Sequence, residues 1–305
     1  MAHIIKNLWN RFCKESIVGK YIYANVAVFV AMALVGVFAT LMNAVLPITG
    51  FMRWFELPAS VQHFLYQPWS LVTYMFIHDG FMHILWNMFA LYGFGRIFLN
   101  FYSTKHFTGV YFLGGIVGGL FFILAYNVFP YFEPIVDKSY LVGASAAVMA
   151  IVVASAVRTP NTVVNLMFFG SVRLVTLAAI TVFISVLLLA SENAGGNFAH
   201  LGGAVAGAVF AFSLNKGHDV TKFINAVGEF IAGMWDKIRG LINRRPKMEF
   251  KRTSGAAKHS VDYDYNARKR EKENTMNEIL EKVKRSGYSS LTEEEKKRLF
   301  DSSQK

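Results

Sequence analysis

Six apolar stretches on the scale of a membrane span punctuate the first 214 residues: 22–46, 81–99, 105–128, 141–157, 171–190 and 196–214. A bilayer core takes about 20 residues of α-helix, and the fourth and sixth stretches are short and rich in Gly and Ala. Breaks fall at Pro47, Pro58, Pro68, Pro130, Pro134 and Pro160, and around Gly195-Gly196. The pattern predicts an all-α polytopic membrane protein, a bundle of six transmembrane helices over 21–214 followed by a small helical tail. The first span follows a charged lead of 20 residues and is longer than a signal-peptide core. It is expected to be retained.

The flanks have a different periodicity. In segment 1–20, Ile4, Ile5, Leu8, Trp9 and Phe12 share one helical face. In segment 215–245, Val220, Phe223, Ile224, Val227, Ile231, Met234, Trp235 and Ile238 line one side, opposite Lys222, Glu229, Asp236, Lys237 and Arg239. Both read as amphipathic helices on a membrane surface; packing on a partner protein is the other reading of the second. Residues 246–274 are charged without apolar period and read as a linker. In 275–305 a stripe of Met276, Ile279, Leu280 and Val283 ends at Gly287, and Thr292 to Glu295 has the spacing of a capping box opening a second helix. This hairpin is small for a core of its own and is expected to dock on something.

Composition sharpens the division. The chain is 54% hydrophobic, with 28 Phe and 13 Tyr, too apolar for an ordinary soluble domain. Residues 1–214 carry 16 charged side chains and residues 215–305 carry 35. The net charge of +11 calls for no nucleic acid, since an anionic cytoplasmic leaflet suffices as the partner of a basic tail. With the N-terminus inside, the inner segments hold Lys6, Arg11, Lys14, Lys20, Arg96, Lys105, Arg158 and Arg173, against Arg53 and Lys138 outside. That bias puts both termini in the cytoplasm. The lone Cys13 excludes an internal disulfide.

Polar groups inside spans are costly, and each is a functional candidate. Four stand out: His83 and Asn87 in the second span, Ser145 in the fourth and His200 in the sixth, with His78 just before the second. The three spans are even-numbered and run from outside to inside. All four residues fall in their first turns, and so at one depth in the outer half of the bilayer. Helix packing alone gives no reason for a shared depth. His83 and Asn87 lie four apart, on one face. Gly203 and Gly207 give the last span a Gly-x-x-x-Gly face, and Gly143, Ala144, Ala146, Ala147 and Ala150 make the fourth equally smooth. Two such faces can bring a serine hydroxyl to an imidazole. His200 would take the Ser145 proton as the hydroxyl attacks a carbonyl. The Ser145 N–H, the Asn87 amide and the His83 ring are candidate oxyanion donors. With no Asp or Glu in any span, a Ser–His dyad is expected rather than a triad.

The segments HDGFMHILWN (His78, His83, Asn87), GAS (Gly143 to Ser145) and AHLGGAVAG (His200, Gly203, Gly207) resemble the three signatures of rhomboid intramembrane serine proteases, in order and spacing over about 21–214. The resemblance implies a six-helix bundle with a cavity open to the outside, Ser145 as nucleophile and His200 as general base. It implies His83 and Asn87 at the oxyanion. Gly143 and His78 are supporting candidates, His78 structural or water-holding rather than catalytic, and Gly203 and Gly207 pack helices on either reading. Substrates would be single-span membrane proteins cut in or near the membrane; no metal or cofactor is implied. The multi-pass chain would sit in a cell membrane, as in bacterial members with cytoplasmic extensions. Two positions depart from the pattern: Ala146, usually Gly, and Met149, where some members have an aromatic residue. Two other classes stay open. A silent relative that binds membrane helices would generally lack the serine or histidine. A proton or ion transporter would want intramembrane carboxylates across the full depth.

Overall fold

The computed structural model describes residues 15–166, 170–242 and 259–303. Helices occupy all six expected stretches: α1 (Ile17–Leu41), then, after two short helices α2 (Val45–Arg53) and α3 (Val61–Tyr66) and one turn α4 (Ser70–Thr73), α5 (Phe81–Leu99), α6 (Thr104–Val128), α7 (Ser145–Arg158), α8 (Leu174–Leu187) and α9 (Ala194–Asn215). Three of them, α1, α6 and α9, are long and apolar enough to cross a membrane. At about 1.5 Å per residue, α7 and α8, with 14 residues each, reach only about 21 Å of the roughly 30 Å core. A 14-residue helix therefore has an end inside the bilayer depth, and in α7 the first residue is Ser145.

Some boundaries differ from expectation. The first helix starts at Ile17, five residues earlier than its hydropathy suggests, because the Ser16 hydroxyl accepts the Gly19 N–H at 3.1 Å and caps it. The proposed interfacial face of residues 4–12 lies outside the described residues. Gly195 and Gly196 fall inside α9 rather than before it. An added Cβ at Gly195 would press on the Phe122 ring and the Tyr126 hydroxyl of α6. Residues 171–173 are not the start of a span. They belong to a hairpin in which Val163–Leu166 pairs antiparallel with Gly170–Arg173, as the β-branched pair Val163-Val164 allows.

The core is α6, α7 and α9, and glycine makes it. Gly203 faces the Ala146 carbonyl and Gly207 the Ala150 carbonyl, with no room for a Cβ at either. Stepping four residues together, α9 and α7 run parallel. Gly114 and Gly118 of α6 oppose Ala150 and Ala146 in the reverse sense, so α6 is antiparallel to α7. At the far end Arg158 donates to the Asn215 side chain at 2.9 Å. Much large apolar surface faces outward instead: Val30, Leu34, Val37, Phe38 and Leu41 on α1, and Phe183 and Leu187 on α8. Exposed apolar area on this scale marks a membrane-facing surface.

The first connection is ordered. Trp54 and Trp69 stack at 5.6 Å, the Trp69 indole donates to the Trp54 carbonyl, and Gln67 donates to the Arg53 and Glu56 carbonyls. Leu57–Pro58 pairs antiparallel with Tyr140–Leu141. That strap joins the first connection to the segment running into Ser145.

Beyond α9, α10 (Lys222–Ile242) opens behind Asp219, whose carboxylate accepts from the Thr221 N–H and hydroxyl and lies 3.4 Å from the His106 ring. Burial pushes this carboxyl up, but those donors and the nearby His106 ring and Lys222 ammonium outweigh it and hold it below its usual range. Lys105 of α6 pairs with Glu229 of α10 at 2.9 Å. Phe223, Phe230 and Trp235 of α10 are exposed.

The described residues 259–303 belong to a second compact unit. Its first helix, α11 (His259–Ser286), begins well inside the stretch read as a linker. Charge density alone misled there, because Lys, Arg and Glu are good helix formers. A second helix, α12 (Glu293–Ser303), follows. The capping box is reciprocal: Thr292 N–H donates to Glu295 at 2.7 Å and Glu295 N–H to the Thr292 hydroxyl at 3.3 Å. Ile279 and Leu291 are buried between the helices, whereas Leu280 and Phe300 stay largely exposed.

Candidate functional site

A cavity of about 540 Å³ opens between α5 and α8. Its wall includes His83 and Asn87 from α5, Ser145 and Met149 from α7, Thr181 from α8, and His200 from α9. Four of the expected residues thus border one space, reached from three helices.

Ser145 is the first residue of α7, after a bend in which Gly143 has φ +112° and donates its N–H to the Tyr74 carbonyl at 3.0 Å. A side chain at 143 would also come within 2.6 Å of the His83 ring, so this position needs glycine for conformation and for space. The first amide of α7 to find a helical carbonyl is that of Val148, bonded to Ala144 at 3.0 Å. The amides of Ser145, Ala146 and Ala147 precede it and have no carbonyl one turn back. They form the partly positive N-terminus of a helix at the serine itself.

His83 and Asn87 flank that end. The Asp79 N–H lies 3.5 Å from His83 Nδ1, a long contact that favours the tautomer with its proton on Nε2, the nitrogen facing Gly143. Asn87 is buried, with its amide donating to the His83 carbonyl at 3.0 Å. His78 does not line this cavity. It borders a separate one with Glu56 and Asp79, packs edge-on against the His83 ring at 5.1 Å, and has both ring nitrogens buried without a hydrogen bond among the described residues. Burial, and next the neighbouring His83, push its pKa down to about 4, so it is neutral at pH 7. Its ring contact with the site is to His83.

Of the two departures from the pattern, Ala146 has a local explanation. The Ala146 methyl sits opposite Gly118, which has no side chain to meet it. Met149 is buried one turn below Ser145 on the cavity wall.

His200 lies three residues before Gly203, on the helix face that meets α7. Its hydrogen bond among the described residues, however, is not to Ser145. Its Nδ1 lies 3.2 Å from the hydroxyl of Ser185 on α8. Reasoning from sequence missed Ser185, Thr181 and Asn193. The available signal was a hydroxyl at Ser185 among the large apolar residues of Val182 to Leu189. Asn197, also unmarked, donates to the Leu188 and Asn193 carbonyls at 2.9 and 3.0 Å and ties the α8–α9 connection to α9.

The rhomboid-domain family matches residues 66–217, which hold α5 to α9 and every candidate residue. The chain belongs to the rhomboid family. It is accordingly an all-α polytopic membrane protein of rhomboid fold. Residues 259–305 match a separate family of unknown function, DUF6576. Among curated proteins the chain is similar to RHOMBOID-like protein 12, mitochondrial, of Arabidopsis thaliana, at 26% identity over 157 residues. The match covers 48% of this chain and 47% of that protein, so the chain spans about half the length of the curated relative it matches.

Proposed function

We propose that this rhomboid is an intramembrane serine endopeptidase that uses Ser145 and His200 as a dyad. The observation that carries the reading is the convergence of Ser145, His200, His83 and Asn87 on one cavity. In the reaction, Ser145 Oγ adds to the scissile carbonyl carbon as its proton passes to His200 Nε2. The carbonyl π pair moves to oxygen, where the Ser145 N–H, Asn87 amide and His83 Nε2–H can donate. Collapse of the adduct expels the amine, which takes the proton from Nε2. A water then repeats the sequence on the acyl-enzyme and returns the serine.

Substrates are single-span membrane proteins, whose helix would enter between α5 and α8, where the cavity opens. The protein sits in a cell membrane with both termini in the cytoplasm and the cavity towards the outside. The exposed Phe223, Phe230 and Trp235 of α10 rest on the inner leaflet, and its basic residues meet anionic lipid. A second reading, a relative that binds membrane helices without cutting them, draws on the lack of a hydrogen bond between Ser145 and His200 among the described residues.

A fluorescent serine-reactive phosphonate on purified protein separates the two. Wild type is expected to label, and Ser145→Ala and His200→Ala to lose at least about 10³-fold in rate while remaining folded. Folded wild type that resists labelling, or labelling that survives His200→Ala, sinks the protease reading and leaves the helix-binding one.

A further inference from the structure

The geometry points to Ser185 as a third member of the dyad's hydrogen-bond chain, a positioning residue that fixes the tautomer of His200. The inference rests on the protease reading for its catalytic consequence, but its structural half stands apart. Ser185 is buried, and its hydroxyl has two neighbours: the Thr181 carbonyl at 3.0 Å and His200 Nδ1 at 3.2 Å. A hydroxyl has one proton and a carbonyl can only accept. If that proton goes to Thr181, the Ser185 oxygen must accept from His200, and Nδ1 must carry hydrogen. The ring's lone pair is then on Nε2, the nitrogen a general base needs to offer Ser145.

A serine that bonds its own helix one turn back is ordinarily a packing device. Ser155 of α7 is that case, fully buried and bonded to the Ile151 carbonyl at 2.7 Å. Ser185 makes the same bond and adds the imidazole. No carboxylate occurs in the six helices, so a neutral hydroxyl with its proton committed elsewhere does the orienting that an aspartate does in a triad. It does so without placing a charge in the bilayer.

The test uses full-length protein labelled with ¹⁵N-histidine, with His200 assigned by its loss in His200→Ala. At a pH where the ring is neutral, wild-type His200 is expected to carry its proton on Nδ1. In Ser185→Ala that preference disappears and the maximal phosphonate labelling rate falls about tenfold, the upper range for one neutral hydrogen bond, with the probe's affinity unchanged. Ser185→Thr, which keeps a hydroxyl able to bond the same carbonyl, retains both properties. A wild-type proton on Nε2, or a Ser185→Ala protein with unchanged tautomer and rate, overturns the proposal. Should no variant label, the protease reading fails and the tautomer still decides the role of Ser185. Should Ser185→Ala not fold, the wild-type tautomer decides.

Discussion

Helices α7 and α8 are neighbours in the chain, both apolar and both 14 residues long, yet they are used in opposite ways. In α7, ten residues are buried; in α8 only Leu174, Ala178 and Ser185 are. The more buried helix is the one built of Ala, Val and Ser, while α8 turns Ile180, Phe183, Ile184 and Leu187 outward. In water that arrangement would be inverted. In lipid, burying a large apolar side chain gains no hydrophobic energy, and helices associate where small residues let backbones approach. The consequence is mechanical. Ser145 stands at the start of a helix locked on both sides by glycine contacts, and His200 on a helix locked to it, whereas the wall that closes the cavity is held lightly.

Filling the glycine contacts should break that contrast most completely. Gly203→Val would drive a branched side chain into the Ala146 carbonyl, on the helix that carries Ser145. We expect a loss of about 3 kcal/mol or more of stability together with all phosphonate labelling, read as a fall in the detergent unfolding temperature. A variant of near-normal stability would mean that α7 and α9 are not locked as described.

Asn87→Ala should separate the two properties. Its amide borders the cavity and makes one hydrogen bond to its own helix, so the fold loses little. If it donates to the oxyanion, labelling slows about 100-fold, near 2.7 kcal/mol, with the unfolding temperature nearly unchanged. Equal losses in both would reduce Asn87 to a packing residue.

The contrast between α7 and α8 also marks what was legible beforehand. Hydropathy found α5 at 81–99 residue for residue, since Gly80 and Asn100 bound a predominantly apolar run. It placed Ser145 and His200 in the first turns of α7 and α9 because glycine spacing and shared depth are properties of the sequence. It could not find Ser185. One hydroxyl in a lipid-facing helix looks the same whether it bonds its own backbone or also a histidine 15 positions on, and only the approach of α8 to α9 distinguishes them. The first connection escaped for a similar reason. Trp54 and Trp69, Leu57 and Leu141 are paired by tertiary hydrogen bonds and stacking, which leave no period in the chain. The hairpin at 163–173 was hidden because Val172 and Arg173 run directly into the apolar helix that follows.

The smallest expected effect is the most direct test of the comparison. Phe183 has the larger side chain but is 61% exposed on α8, whereas Ile151 on α7 is fully buried. Phe183→Ala leaves lipid to fill the space and should change unfolding free energy by no more than about 0.5 kcal/mol. Ile151→Ala opens a cavity between packed helices and should cost about 2 kcal/mol or more. The same two proteins, unfolded side by side in one detergent, check both figures. If Phe183→Ala costs as much as Ile151→Ala, then α8 is held by its large side chains after all, and the cavity wall is as fixed as the helices that bear Ser145 and His200. If the difference holds, the mobile side of the site is the side that carries Ser185. The tautomer of His200 then depends on a helix held to the bundle by only a few buried residues.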